Sequence, residues 1–208
     1  MRPTLEAVLS YAITDRSLFR LPDDYRRRSL VHHAARWAAE RIDFIQIREK
    51  DLPAGELAEL TRRIQEAVAG TGSKVLVNSR ADVAVAAGAD GVHLTAAAGE
   101  LTPEQVRTVF AAAGRQAPIV SVSCHTIQQA QEASAAGVDA ILFGPVFAKV
   151  VDGGEVVPGT GIETLRTACT AARGASVFAL GGLTLENAPE CIEAGAAGVA
   201  GIRLFHRK

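Results

Sequence analysis

Residues 44–50 read Phe44-Ile45-Gln46-Ile47-Arg48-Glu49-Lys50, an apolar run that stops abruptly in two cations and a carboxylate. A buried strand that ends this way predicts a polar pocket at its C-terminal end; an ordinary charged turn is the competing reading. Arg48 can grip a phosphate or carboxylate through its planar fork, and Lys50 can do so as a point charge. Salt bridges to Glu49 or Asp51 would occupy both instead. His125 follows Val120-Ser121-Val122-Ser123. Imidazole both gives and takes a proton near neutral pH, so at a strand terminus it suits acid–base work, with Ser123 beside it; a structural hydrogen bond is the plainer role. Gly181-Gly182 follows an apolar run and would let backbone N–H groups approach an anion, or would simply make a turn. Asn78, His93, Ile202 and Arg203 also fall at strand ends, and His93, between Val92 and Leu94, reads as a supporting residue.

These residues need a frame that gathers strand ends. Short apolar runs at 11–14, 43–47, 74–78, 91–94, 119–123, 140–144, 176–180 and 198–202 alternate with helical patterns at 28–41, 55–69, 81–87, 103–113, 127–136, 162–172 and 185–194. Eight strands with helices between them predict a parallel α/β sheet closed into a (β/α)8 TIM barrel, in which the working residues sit on the loops after the strands. Three segments share one plan, beginning Ala87-Gly88-Ala89, Ala136-Gly137-Val138 and Ala194-Gly195-Ala196. Each reads as a glycine-ended helix with a tight loop into the next strand. The 208 residues are few for such a barrel, and residues 203–208 leave no room for a full eighth helix. That helix is then vestigial, or a second subunit of a homodimer covers its place. Residues 148–160 form a long connection, read as a lid or as an idle insertion.

A net charge of −1 argues against a nucleic-acid or anionic-membrane surface, and Arg26-Arg27-Arg28 reads as a solvated face at a helix start. Three cysteines far apart suit a reducing cytoplasm rather than a disulfide framework. No signal-peptide pattern or membrane-length apolar run is present in the sequence, so a single cytoplasmic domain over residues 1–208 is expected.

Residues 44–50, Val77-Asn78-Ser79-Arg80-Ala81-Asp82, Gly88-Ala89-Asp90-Gly91-Val92-His93-Leu94, Val122-Ser123-Cys124-His125, Gly144-Pro145-Val146-Phe147 and Leu180-Gly181-Gly182-Leu183 occur in the order seen in the thiamine phosphate synthase superfamily. The chain resembles that superfamily from Ala12 to Ile202, and within it is closest to the thiazole tautomerases (TenI-type). The synthases join a pyrimidine pyrophosphate to a thiazole phosphate with magnesium. Their pattern has Asn-Asp where this chain has Asn78-Ser79, and Gly-Gln-x-Asp where it has Thr95-Ala96-Ala97-Ala98. Both expected magnesium carboxylates are therefore missing, and Glu100, two positions late, would compensate only with a backbone shift. A Thr-x-Thr and lysine are replaced by Lys149-Val150-Val151-Asp152, and Arg203 stands where the family has serine.

The resemblance implies, first, a cofactor-free thiazole tautomerase. His125 would move a proton within a thiazole carboxylate phosphate, Gly181, Gly182, Ile202 and Arg203 would hold the phosphate, and Arg48 or Lys50 the carboxylate, with Gln46, Asn78, His93 and Ser123 lining the site. The alternatives are the synthase itself, with magnesium, and a non-catalytic barrel that binds a thiamine precursor.

Overall fold

The computed structural model describes residues 8–151 and 154–206. Among the described residues ten strands and seven α-helices run in the order β1 (Leu9–Ile13), α1 (Asp23–Ala39), β2 (Phe44–Ile47), α2 (Ala54–Val68), β3 (Lys74–Asn78), α3 (Ala81–Ala87), β4 (Gly91–Leu94), α4 (Pro103–Ala112), β5 (Ile119–Cys124), α5 (Ile127–Ala135), β6 (Ala140–Phe143), β7 (Lys149–Val151), β8 (Glu155–Val157), α6 (Ile162–Ala171), β9 (Ser176–Leu180), α7 (Ala188–Glu193) and β10 (Gly198–Gly201). The strand order β1-β10-β9-β6-β5-β4-β3-β2 closes a barrel, as the alternation predicts. The described residues form two compact units, one of Ala12–Val120 and one of 121–206 with 8–11.

In the first unit β2, β3 and β4 are parallel, with Ile45 opposite Val75 and Leu76 opposite Gly91. Their side chains are almost wholly buried, which is why these strands read as continuous apolar runs rather than alternating ones. The amphipathic α2 turns Leu57, Leu60, Ile64 and Val68 inward, at spacings of three and four residues. A capping box starts α4: the Thr102 hydroxyl accepts from Gln105 N at 3.2 Å, while the Gln105 side chain accepts from Thr102 N at 2.8 Å. Thr102→Ala removes one of these acceptors and is expected to cost about 1 kcal/mol. The thermal midpoint checks this, and an unchanged midpoint would show that the cap is idle.

The second unit holds β5-β6-β9-β10, with Val122 opposite Ile141, Ile141 opposite Val177 and Val199 opposite Ala179. Phe178, Phe143 and Tyr11 fill its interior; the Tyr11 and Phe178 rings meet edge-on at 5.5 Å, and Tyr11 Oη shares a 2.8 Å hydrogen bond with Ser121 Oγ. Gly144 lies so close to β9 that a Cβ there would stand 2.0 Å from the Leu180 carbonyl oxygen.

Four expectations need correction. β1 begins at Leu9, two residues before the expected start at 11. α1 begins at Asp23 rather than 28, so Arg26-Arg27-Arg28 lies within the helix; its apolar face starts only at Leu30, leaving the first turns invisible to periodicity. α7 is shorter than expected, because the residues from Thr184 form a turn closed by Thr184 and Asn187, and Leu185 is exposed. The connection at 148–160 carries the antiparallel β7–β8 hairpin, with Lys149 opposite Val157, and its residues 152–153 lie outside the described set. Among the described residues no helix follows β10, and none is long and apolar enough to cross a membrane.

Candidate functional site

In the first unit the polar groups cluster where β2, β3 and β4 end. Arg48 and Lys50 have no side-chain ion pair among the described residues, since Glu49 and Asp51 are both engaged by Arg16. The carboxylate of Glu49, almost fully buried, accepts from Thr14 Oγ1 at 2.7 Å, from Arg16 N and from Arg16 Nη1 at 3.0 Å. Thr14 Oγ1 in turn accepts from Arg48 N at 2.9 Å, so this buried network fixes the backbone from which the Arg48 side chain departs. Burial pushes the Glu49 carboxyl up, against the hydrogen bonds from Thr14 and Arg16 that pull it down. The salt bridges to Glu49 or Asp51 that would have occupied Arg48 and Lys50 are thus made by Arg16 instead.

A cavity of about 300 Å³ opens at these strand ends, lined by Lys50, Asn78, Ser79, Arg80 and Thr95 together with apolar Ile47 and Leu52. Gln46 is 1% exposed; its Nε2 donates to Asn78 Oδ1 at 3.0 Å, while its Oε1 is buried with no hydrogen-bond partner. Such a group costs free energy unless a bound molecule completes it. His93 is 2% exposed, and burial above all pushes its pKa down to about 3, with Arg48 adding to the fall and Glu100 opposing it. It is therefore a neutral imidazole at ordinary pH.

In the second unit His125 begins the loop after β5. Its Nδ1 lies 2.5 Å from the Gly144 carbonyl oxygen, and a carbonyl can only accept. Nδ1 therefore donates this hydrogen bond. Ser123 is half-buried on β5. Gly144-Pro145 is a cis peptide bond. Gly181 and Gly182 follow β9 with φ of 93° and 64°, and a Cβ on either would meet Pro145 at 2.5 Å or Phe147 at 2.7 Å. Turn geometry and close packing thus account for both glycines. Ile202 is half-buried after β10 and Arg203 is exposed.

Sequence reasoning missed Arg16 and misjudged Glu100. Arg16 is 8% exposed and meets the carboxylates of Asp23, Glu49 and Asp51, a convergence that no local pattern announces. Glu100 needs no shift of β4: the turn at 95–100 folds its carboxylate back to Thr95 N at 3.0 Å and to Ser79 Oγ at 2.6 Å. The magnesium that the synthase resemblance implies finds a poor donor set here. Glu100 Oε2 already accepts from Ser79 Oγ, Thr95 N and Thr95 Oγ1, and Oε1 accepts from Leu101 N. Among the described residues no three His, Cys, Asp or Glu side chains group as metal ligands. One carboxylate, saturated by the protein, does not fit a protein-held magnesium ion.

A closed barrel of parallel strands, with cations, amides and imidazoles at the strand ends, defines a TIM-barrel enzyme. Comparison makes this specific. The profile of the family described as thiamine monophosphate synthase matches residues 10–205. A thiamine-phosphate synthase of Methanoculleus marisnigri is 34% identical over 190 residues, covering 91% of this chain and 83% of the relative. A Geobacter sulfurreducens relative, 40% identical over 194 residues that cover 91% of this chain and 86% of its own, carries the same description in provisional form. The structure of a thiamine phosphate pyrophosphorylase from Pyrococcus furiosus superposes with a TM-score of 0.76 at 27% identity, covering 94% of this chain and 86% of that one. The chain belongs to the thiamine monophosphate synthase family, whose chemistry is thiamine biosynthesis. These relatives are described as synthases, not as tautomerases.

Proposed function

We propose that this protein joins an aminopyrimidine methyl pyrophosphate to a thiazole phosphate, as the descriptions of its relatives indicate. The observation that carries this reading over the tautomerase expected from the sequence is the buried acceptor Gln46 Oε1, which has no hydrogen-bond partner among the described residues and sits on the strand that leads to Arg48 and Lys50. The pyrimidine of thiamine carries an exocyclic amine that such an acceptor would take, whereas a thiazole carboxylate phosphate offers no amine. Lys50 and Arg48, which pair with no carboxylate among the described residues, would neutralise the pyrophosphate as it departs. The thiazole nitrogen contributes the electron pair of the new C–N bond at the pyrimidine's methylene carbon. The C–O bond to pyrophosphate breaks, and its electrons leave with that group. Gly181, Gly182, Ile202 and Arg203 would hold the thiazole phosphate, Ser123 would contact its ring, and Asn78 and His93 would support the pyrimidine end.

One observation favours a second reading. His125 Nδ1 donates to Gly144, so that in a neutral ring Nε2 would carry the lone pair that a thiazole tautomerase needs in its base.

Both reactions should be assayed side by side, with and without chelator. The expected result is pyrophosphate release that requires both heterocycles and falls about 10- to 100-fold in Lys50→Ala, the effect of one lost charge-assisted contact. Isomerisation of the thiazole carboxylate phosphate, abolished in His125→Ala and unaccompanied by pyrophosphate release, would establish the second reading. Binding without turnover of either kind would leave only a precursor-binding barrel.

A further inference from the structure

A departing pyrophosphate gathers negative charge, and a site that releases it must meet that charge. The cavity at the ends of β2 and β3 is poor in what a divalent ion would use. The Glu100 carboxylate is taken up by Ser79, Thr95 and Leu101, and the polar wall residues Asn78, Ser79 and Thr95 are neutral. Glu49, also in the wall, is held by Thr14 and Arg16. What the wall does present is positive charge: Lys50 from the loop after β2 and Arg80 from the loop after β3.

The backbone around Arg80 is tied on both sides. Ser79 N donates to the His93 carbonyl at 2.8 Å, and the Arg80 carbonyl accepts from Ala84 N at 2.9 Å where α3 begins. The guanidinium is forked onto Asp82, with Nε at 2.8 Å and Nη2 at 2.6 Å, so Nη1 has no partner among the described residues. The two side chains are 41% and 65% exposed. An ion pair so open to water adds little to stability; its effect is to hold a long side chain in one orientation.

We propose that Arg80 binds the departing pyrophosphate together with Lys50, so that the chain itself supplies the charge a divalent ion would bring. This rests on the synthase reading above and adds to it a further residue and a metal-independent way of neutralising the leaving group. The electron pair of the breaking C–O bond ends on a pyrophosphate oxygen. A guanidinium held there gains more from the free anion than from the ester, so the contact favours bond breaking. Lys50 acts as a point charge, whereas the planar fork of Arg80 can meet two oxygens of one phosphoryl group. Magnesium works against such a site, because in solution it covers the charge that the two cations recognise.

The test is calorimetric titration of the whole protein with inorganic pyrophosphate, once in chelator and once with excess magnesium. Wild type is expected to bind in chelator and to gain nothing from magnesium. Arg80→Gln is expected to weaken binding in chelator by about 10- to 100-fold, the worth of one hydrogen bond to a charged group. Arg80→Lys should recover part of this, since the charge survives and the fork does not. Asp82→Asn keeps an acceptor for Arg80 but removes the competing charge, so it should bind at least as tightly as wild type. Thermal midpoints verify that the variants fold. Magnesium that tightens wild-type binding about 10-fold or more, or an Asp82→Asn loss equal to that of Arg80→Gln, overturns the proposal. So does a Lys50→Ala loss that Arg80→Gln does not share, which would leave the pyrophosphate site standing without Arg80. Wild type that binds pyrophosphate in neither buffer removes the synthase reading itself, and this assignment with it.

Discussion

Glu49→Ala is expected to lower the free energy of unfolding by about 3–5 kcal/mol, the usual cost of breaking one member of a buried ion pair. The Glu49 side chain is 2% exposed and the Arg16 side chain 10%. Its removal orphans the Thr14 hydroxyl, the Arg16 amide and part of the Arg16 guanidinium together. The instructive comparison is Asp51, which makes shorter contacts with Arg16, at 2.6 Å from both Nη1 and Nη2, but whose side chain is 72% exposed. If distance governed the energetics, Asp51→Ala would be the more damaging change. Desolvation governs instead: water replaces Asp51 cheaply and cannot replace Glu49, so Asp51→Ala is expected to cost no more than about 1 kcal/mol. Urea midpoints at unchanged slope would measure both, and equal losses would refute the argument. Because Thr14 Oγ1 also receives the Arg48 amide, the Glu49 variant should further loosen Arg48 and raise KM for a phosphorylated substrate.

The same network shows what could be read from the chain beforehand. Val75, Leu76, Val77 and Ile141, Leu142, Phe143 sit on strands buried on both faces, so their runs are continuous and their ends are plain. Reading the strand ends in order then collects Gln46, Arg48, Lys50, Asn78 and His93 in one unit, and His125, Gly181 and Gly182 in the other, without knowledge of any coordinate. Partnership was illegible. Glu49 stands next to Arg48 and Lys50 in sequence yet pairs with Arg16, 33 positions away, an encounter that no local pattern announces. Glu100 reaches Ser79 across 21 positions through a turn that no periodicity describes. The glycines at 181 and 182 carried a phosphate expectation, but their positive φ and their contact with Pro145 and Phe147 would demand glycine even without a ligand. Residue type at a strand end is thus a reliable pointer to place and a weak one to role.

The second large effect concerns pH. His93 has its pKa lowered from 6.5 to about 3, with burial the main cause, so the folded protein resists the proton that the unfolded chain accepts. Between those two values the unfolded state binds more protons, and stability rises with pH. The contribution is therefore complete above pH 6.5, declines as pH falls through that window, and is exhausted below the folded value of about 3. At 1.36 kcal/mol for each pH unit the full swing is roughly 5 kcal/mol, comparable with the whole stability of a small domain. Asp51, whose carboxyl Arg16 holds below the usual range, acts in the same direction at lower pH, but it is exposed and its share is small. Glu49, pushed up by burial, acts in the opposite sense, losing stability as pH rises through its folded value. The histidine's part is isolated by substitution. His93→Gln keeps a polar, hydrogen-bonding side chain that cannot titrate, so its urea midpoint is expected to stay nearly level from pH 6.5 to 5, where wild type already declines. Parallel declines in the two proteins would mean that some other group takes up the proton, and that His93 is not the acid-sensitive point of the barrel.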